Sequence, residues 1–142
     1  MKKFVYVIIF VVVLVIAIAW YLISPAFQVV EINENIAPTS QILAEGIFKP
    51  DAHEVKGSVV LVKEEGKNII RFENFETING PDLHIYLASS LDDKDFVDLG
   101  AIKATKGNVN YEIPYNVDTN KYNKVLIWCV PFKVLFSYAE LE

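Results

Sequence analysis

The 142-residue chain is 53% hydrophobic, has a mean hydropathy of +0.31 and carries a net charge of −5. This hydropathy is too high for an ordinary soluble domain of this length, and the excess lies at the N-terminus. Without Lys2 and Lys3, 11 basic residues stand against 18 acidic ones, a net charge of −7. Such a balance excludes a binder of nucleic acid or anionic lipid, which would need clustered cations to neutralise phosphates.

Residues 4–23 are uncharged, contain no proline or glycine, and predict a transmembrane helix. A helix of this length would extend about 30 Å, the thickness of one hydrocarbon core. Lys2 and Lys3 precede the span and the first charges after it are acidic, so the N-terminus is expected to be cytoplasmic. We therefore expect a single-pass protein of the cell membrane, anchored through residues 1–23, with its C-terminal domain extracytoplasmic.

The alternative is a cleaved signal peptide, because residues 17–19 (AIA) resemble a processing site. The apolar run continues through residues 20–23, however, and exceeds the usual apolar core of about 7 to 15 residues. A retained anchor is therefore favoured. No cysteine lies near the end of the span to accept a lipid, which excludes a lipoprotein, and either remaining topology exports the rest of the chain.

Residues 24–40 contain two prolines and little periodicity, and we interpret them as a tether. Residues 41–142 then form one domain, because about 100 residues suffice for a single core. Within it, residues 41–46 have the length of a short helical turn.

From residue 57 onward, short apolar or alternating runs are separated by turn residues, which is typical of an all-β domain. No longer helical periodicity competes, so an antiparallel β-sandwich or small barrel is predicted behind the N-terminal transmembrane helix. The first two runs flank a turn at residues 65–68 and predict a hairpin. The seven predicted strands are 57–63, 69–72, 82–88, 97–101, 109–113, 124–130 and 132–137.

Ordered motifs in residues 46–141 resemble those of the DM-thirteen (electron transfer) domain family. They are residues 53–57 (HEVKG), 72–75 (FENF), 80–87 (GPDLHIYL), 99–100 (LG), 107 (G), 111–114 (YEIP) and the closing run 125–141 with its Trp128-Cys129 pair. The resemblance implies a β-rich extracytoplasmic domain associated with redox chemistry. It also implies that Cys129 is a redox thiol or a ligand to a prosthetic group.

Cys129 is the only cysteine of the chain, so it cannot form an intramolecular disulfide. It is a buried thiol, an intermolecular bridge or a ligand. Strand alternation places Cys129 on the same face as Val125 and Ile127, which favours simple burial as a small apolar side chain. A thiol kept in an oxidising compartment is expected to be either protected or used.

A prosthetic group would need further ligands, and the candidates are His84, His53 and Asp82. His84 follows the more specific motif and is the first to test, although alternation with Asp82 and Tyr86 also suits an ordinary half-exposed strand residue. No histidine follows Cys129 and the only methionine is Met1, which argues against blue copper. No Cys-x-x-Cys or Cys-x-x-Cys-His motif occurs, so the cofactor stays unidentified, with haem or none as the options.

The sequence contains no catalytic motif, such as Gly-x-Ser-x-Gly or His-Glu-x-x-His, and no enzymatic activity is assigned. Aromatic residues after Cys129, including Phe132 and Phe136, are expected to pack in the core. Two hypotheses remain. The first is a membrane-tethered electron-transfer module that uses Cys129 with a redox partner protein. The second is a cell-surface β-sandwich for binding or adhesion, in which Cys129 is purely structural.

Overall fold

A computed structural model of the protein describes residues 2–142, without the side chains of residues 25 and 26. In this part of the chain one helix, α1 (Lys2–Ile23), and a 3-10 turn (Ser24–Phe27) precede ten strands. The strands are β1 (Glu31–Asn33), β2 (Gln41–Ile47), β3 (Lys49–Pro50), β4 (Val55–Glu64), β5 (Lys67–Thr77), β6 (Leu83–Ala88), β7 (Phe96–Ala101), β8 (Lys106–Glu112), β9 (Lys124–Cys129) and β10 (Val134–Glu140).

The strands form two five-stranded sheets. The first sheet has the order β1-β8-β5-β4-β2 and the second has the order β3-β10-β9-β6-β7. Neighbouring strands are antiparallel in both sheets, apart from β1, which runs parallel to β8. The predicted all-β antiparallel sandwich behind one N-terminal helix is therefore confirmed, and the seven predicted strands correspond to β4–β10.

The core lies between the two sheets and follows from strand alternation. In β6, Leu83, Ile85 and Leu87 point inward, and all three are buried. Inward side chains of β9 and of the first sheet complete the cluster, including Phe72 and Tyr111. Burying a side chain of this size contributes about 1.5 to 3 kcal/mol, so this face sets the register of both sheets.

The β4–β5 hairpin has a tighter turn than the sequence predicted. Its two turn residues, Glu65 and Gly66, both have positive φ, at 48° and 84°. Such a pair matches the type I′ geometry whose twist suits a two-residue hairpin. The pairing therefore extends to Glu64 opposite Lys67.

Residues 41–46 belong to a strand and do not form the short helical turn that their length would allow. They form most of β2, which pairs with β4 and lies beside the C-terminal strand. A Cβ at Gly46 would collide with the Glu140 carbonyl, so the absence of a side chain lets the two backbones approach. Tertiary pairing overrides the weak local preference of this segment.

The segment 24–40 contributes to the first sheet. Within it, β1 pairs with β8, and the Val30 N–H donates to the Thr105 hydroxyl at 3.1 Å. Arg71 is 8% exposed and donates to the Glu34 carbonyl at 2.9 Å, as well as to the side chains of Glu73 and Asn110. Residues 30–34 are thus held against the domain by backbone and side-chain hydrogen bonds.

Candidate functional site

Cys129 is the last residue of β9 and lies on the inner face of the second sheet. It pairs with Leu83 of β6 on one side and with Val134 of β10 on the other. Val125 and Ile127 precede it on the same face, as alternation predicted. The side chain is 1% exposed, which makes Cys129 a free, buried thiol at the end of the core.

The surroundings of Cys129 favour the protonated thiol. Burial raises the pKa of Cys129, and the Asp82 carboxylate acts in the same direction. The backbone N–H groups of Phe132 and Asp82 act in the opposite direction, because hydrogen bonds to sulfur favour the thiolate, but they do not offset burial. The thiolate is the reactive form, so this cysteine is a weak nucleophile at neutral pH.

A cavity of about 300 Å³ adjoins Cys129 where β9 turns into β10. Its walls are largely apolar, and the lining residues with polar side chains are Cys129, His53 and Asn79. The His53 ring packs on Phe136, with 4.0 Å between the ring centroids. The remaining lining residues are Leu22, Ile23, Ile78, Gly80, Pro81, Phe132 and Val134.

His84 lies on the opposite face of the second sheet from Cys129. It is held between two carboxylates, with Nδ1 2.8 Å from Asp98 and Nε2 3.3 Å from Asp82. Next to it, Tyr86 stacks on Phe96 at 3.9 Å and lies 6.1 Å from Trp128, between ring centroids. His84 therefore belongs to a polar and aromatic outer surface.

The three candidate co-ligands are thus separated. His53 lines the same cavity as Cys129, whereas His84 does not. Asp82 contacts the region of Cys129 through its backbone, since its carbonyl accepts from the Val130 N–H, while its carboxylate pairs with His84. The sequence favoured His84 as the first co-ligand to test because its motif is the more specific one. His53 was indicated only by a less specific motif.

The aromatic residues near Cys129 in sequence have different environments. Phe136 is buried in the core as expected, and Trp128 is buried in the outer-face cluster. Phe132 is 56% exposed, so the expectation of core packing was wrong for this residue. It lies in the turn between β9 and β10, which Lys133 closes with a positive φ of 51°.

Few of the described residues could hold a prosthetic group beside Cys129. Within residues 2–142, no group of three His, Cys, Asp or Glu side chains is arranged to hold a metal. Cys129 and His53 are types of residue that ligate haem iron. The thiol is biased toward its protonated form, however, and the described lining contains no lysine or arginine to pair with haem propionates.

Comparison with known proteins identifies the domain. The family model described as electron transfer DM13 matches residues 47–141, about two thirds of the chain and nearly all of the sandwich from the end of β2 onward. Neither curated proteins nor solved structures give a match. The chain therefore belongs to the electron transfer DM13 family.

Proposed function

We propose that this protein is an electron-transfer module held at the outer surface of the cell membrane by α1. The helix has a mean hydropathy of 3.0 and no buried residue, so it is not a core helix of the sandwich. A membrane span and a signal sequence both have these properties. Retention as an anchor is supported by the length of the apolar run and by Trp20 and Tyr21 near its end, where aromatic rings favour the headgroup region.

The orientation is N-terminus inside and domain outside. Lys2 and Lys3 are the cations next to the span, and the domain that follows is acidic. Replacing both lysines by glutamate is expected to weaken this preference. A protease added to intact cells should degrade the domain of the parent protein, and a domain that stays protected would overturn the orientation.

Within this module, Cys129 is the redox centre. The observation that carries this proposal is that Cys129 faces a cavity which His53 also lines, in a domain of an electron-transfer family. A lone thiol has two modes of action. Its thiolate can attack a partner protein's disulfide, forming a mixed disulfide and releasing the partner's second sulfur as a thiolate. It can also act as a soft ligand.

The alternative is a binding or adhesion module in which Cys129 only fills the core. Two observations favour it: the side chain is 1% exposed, and burial raises the pKa of the thiol. A free cysteine in such a setting behaves as a small apolar residue.

Thiol reactivity and visible absorption of the purified full-length chain discriminate between the two functions. Because the chain has one cysteine, every modified sulfur reports on Cys129. The redox proposal expects either a visible absorption band or a mixed disulfide with a partner in cells, and Cys129→Ser should abolish both while the fold is kept.

The matched variant Cys129→Ala removes the sulfur without burying a hydroxyl. If Ser and Ala variants lose only stability, and the parent protein shows neither a chromophore nor a partner adduct, the structural alternative replaces the redox role. Circular dichroism of each variant verifies that the β-sandwich is still folded.

A further inference from the structure

The cavity beside Cys129 has the composition of a site for an uncharged, mostly apolar molecule. The described residues that line it include no Lys, Arg, Asp or Glu, so neither an anionic headgroup nor a cation would find a counter-charge there. Two polar groups remain for hydrogen bonding. The His53 ring is one, and the Asn79 amide is the other, since its oxygen accepts from the Gly80 N–H at 2.9 Å and leaves the nitrogen to donate.

The location of the cavity indicates where its occupant comes from. Leu22 and Ile23, the last two residues of α1, belong to its lining. Exposed apolar side chains surround the entrance, with Ile78 42% and Phe132 56% exposed. With α1 in the membrane, the cavity opens at the level where the helix leaves the hydrocarbon layer, and a lipid-soluble molecule reaches it without crossing water.

The volume limits how much of such a molecule enters. About 300 Å³ is at the lower end of small-molecule pockets, which range from about 300 to 1,000 Å³. A single substituted ring fits this space, whereas a long chain must remain outside, along the apolar rim and α1. The occupant therefore combines a neutral ring bearing one or two acceptor oxygens with an apolar tail.

We infer that the cavity binds the ring of a membrane-soluble quinone, with a ring carbonyl accepting a hydrogen bond from His53. This inference rests on the membrane anchoring proposed above and on the electron-transfer family of the domain. It concerns binding, and it is independent of whether the Cys129 thiol reacts. The quinone lies against the Phe136 and Val134 side chains, and its tail extends toward Ile78 and α1.

The test uses the full chain in an uncharged detergent with Trp20→Phe, so that Trp128 is the single tryptophan. The probe is a fully substituted benzoquinone with a decyl chain, whose ring has no free position for thiol addition. We expect saturable quenching of Trp128 fluorescence. His53→Phe keeps the aromatic contact with Phe136 and removes the donor, so affinity should fall about three- to tenfold.

Two matched lysine substitutions place the site. Ile78→Lys puts a charge at the rim and should weaken binding, whereas Ile42→Lys, at a 60% exposed position on β2, should leave it unchanged. Absence of saturable quenching, or equal losses in both lysine variants, would overturn the inference. So would equal competition by decylbenzene, because the cavity would then accept a chain and not a quinone ring.

The same titration separates this inference from the proposed redox role. Saturable quinone binding by a protein that shows neither a chromophore nor a partner adduct removes the role of Cys129 and leaves the quinone site. A chromophore or a partner adduct without quinone binding keeps the role of Cys129 and removes the quinone site.

Discussion

The two faces of the second sheet differ in how their candidate groups are surrounded. On the inner face, Cys129 lies among apolar side chains beside a cavity that adjoins the end of α1. On the outer face, His84 of β6 lies opposite Trp128, the residue before Cys129, and is held between Asp82 and Asp98. The Cys129 thiol is desolvated and weakly partnered, whereas the His84 ring is partly exposed and contacts two carboxylates. The difference indicates that a function requiring the exclusion of water belongs to the inner face.

The largest effect should come from the inner face at Phe136. Phe136→Ala removes a 6% exposed ring that supports both the core and the His53 wall of the cavity. We expect the free energy of unfolding to fall by about 3 to 5 kcal/mol, the usual cost of truncating a buried aromatic residue. Urea unfolding of the full chain in mild detergent measures the change.

Phe132→Ala is the matched control, because it removes the same side chain from a 56% exposed position near the same cavity. Its effect should stay within about 0.5 kcal/mol. Equal losses for the two substitutions would mean that the turn between β9 and β10 packs differently from the structure.

A second prediction concerns Arg71, a buried cation that donates hydrogen bonds to three acceptors. Arg71 has three acceptors, and one of them, the Glu34 carbonyl, comes from the segment interpreted as a tether. A protein beginning at Ser40 should be less stable than one beginning at Gln28, by at least about 1.5 to 3 kcal/mol for the lost charged hydrogen bond. Thermal unfolding of the two soluble proteins checks this.

In the longer protein, Gly107→Ala provides an independent route to the same loss. A Cβ there would collide with the Ile32 carbonyl, and the residue has a φ of +108°. Gly100→Ala is the control, with a φ of +104° but open space around it. Similar stability of the Ser40 and Gln28 proteins would show that β1 adds nothing to the domain.

Much of the sandwich could be predicted because alternation acts locally. The inward positions of Leu83, Ile85 and Leu87, and of Cys129 with Ile127, follow from a two-residue period that one buried face enforces. The strands β1, β2 and β3 were missed because their pairing depends on distant partners. Neither the β8 backbone that receives β1 nor the Glu140 carbonyl beside Gly46 is visible in the local sequence.

The candidate site was predictable in part for the same reason. Alternation separates His84 from the inward residues of β6, but it does not say which loop covers the end of β9. His53 reaches the cavity from the loop after β3, and its backbone N–H donates to the Phe136 carbonyl at 3.0 Å. A contact between residues so far apart in sequence leaves no local pattern, so only its motif indicated His53.

The third prediction concerns the pH dependence of the inner-face thiol. Because burial raises the pKa of Cys129, alkylation should be slow at neutral pH. Its rate should increase about tenfold per pH unit and should still be increasing above the ordinary thiol pKa of about 8.5. The folded state holds this proton more tightly than the unfolded state. The contribution to stability is therefore fully present below the unfolded pKa and is lost as the pH rises through the folded value.

Urea unfolding between pH 7 and 9.5 measures that loss, and Cys129→Ala should remove its cysteine component. Tyr111 sets the upper limit of the pH range. Burial raises the pKa of Tyr111 to about 12, so its own effect on the free energy of unfolding begins near its ordinary pKa of about 10. Rapid alkylation at pH 7 would contradict the buried setting of Cys129.

The smallest effect is expected on the outer face, from His84→Gln. The side chain is 25% exposed and its partners Asp82 and Asp98 are 48% and 42% exposed, so solvent screens both contacts. Exposed pairs of this kind contribute about 0 to 1 kcal/mol, and the glutamine retains a donor for one carboxylate. Cys129 alkylation and Trp128 quenching by the quinone should stay at parent values, because the sheet separates His84 from the cavity. His53→Gln is the matched substitution inside the cavity and should weaken the quenching, because it removes the ring that packs on Phe136. If His84→Gln instead changes thiol reactivity or quinone binding as much as His53→Gln does, the two faces are coupled and the assignment of the site to the inner face fails.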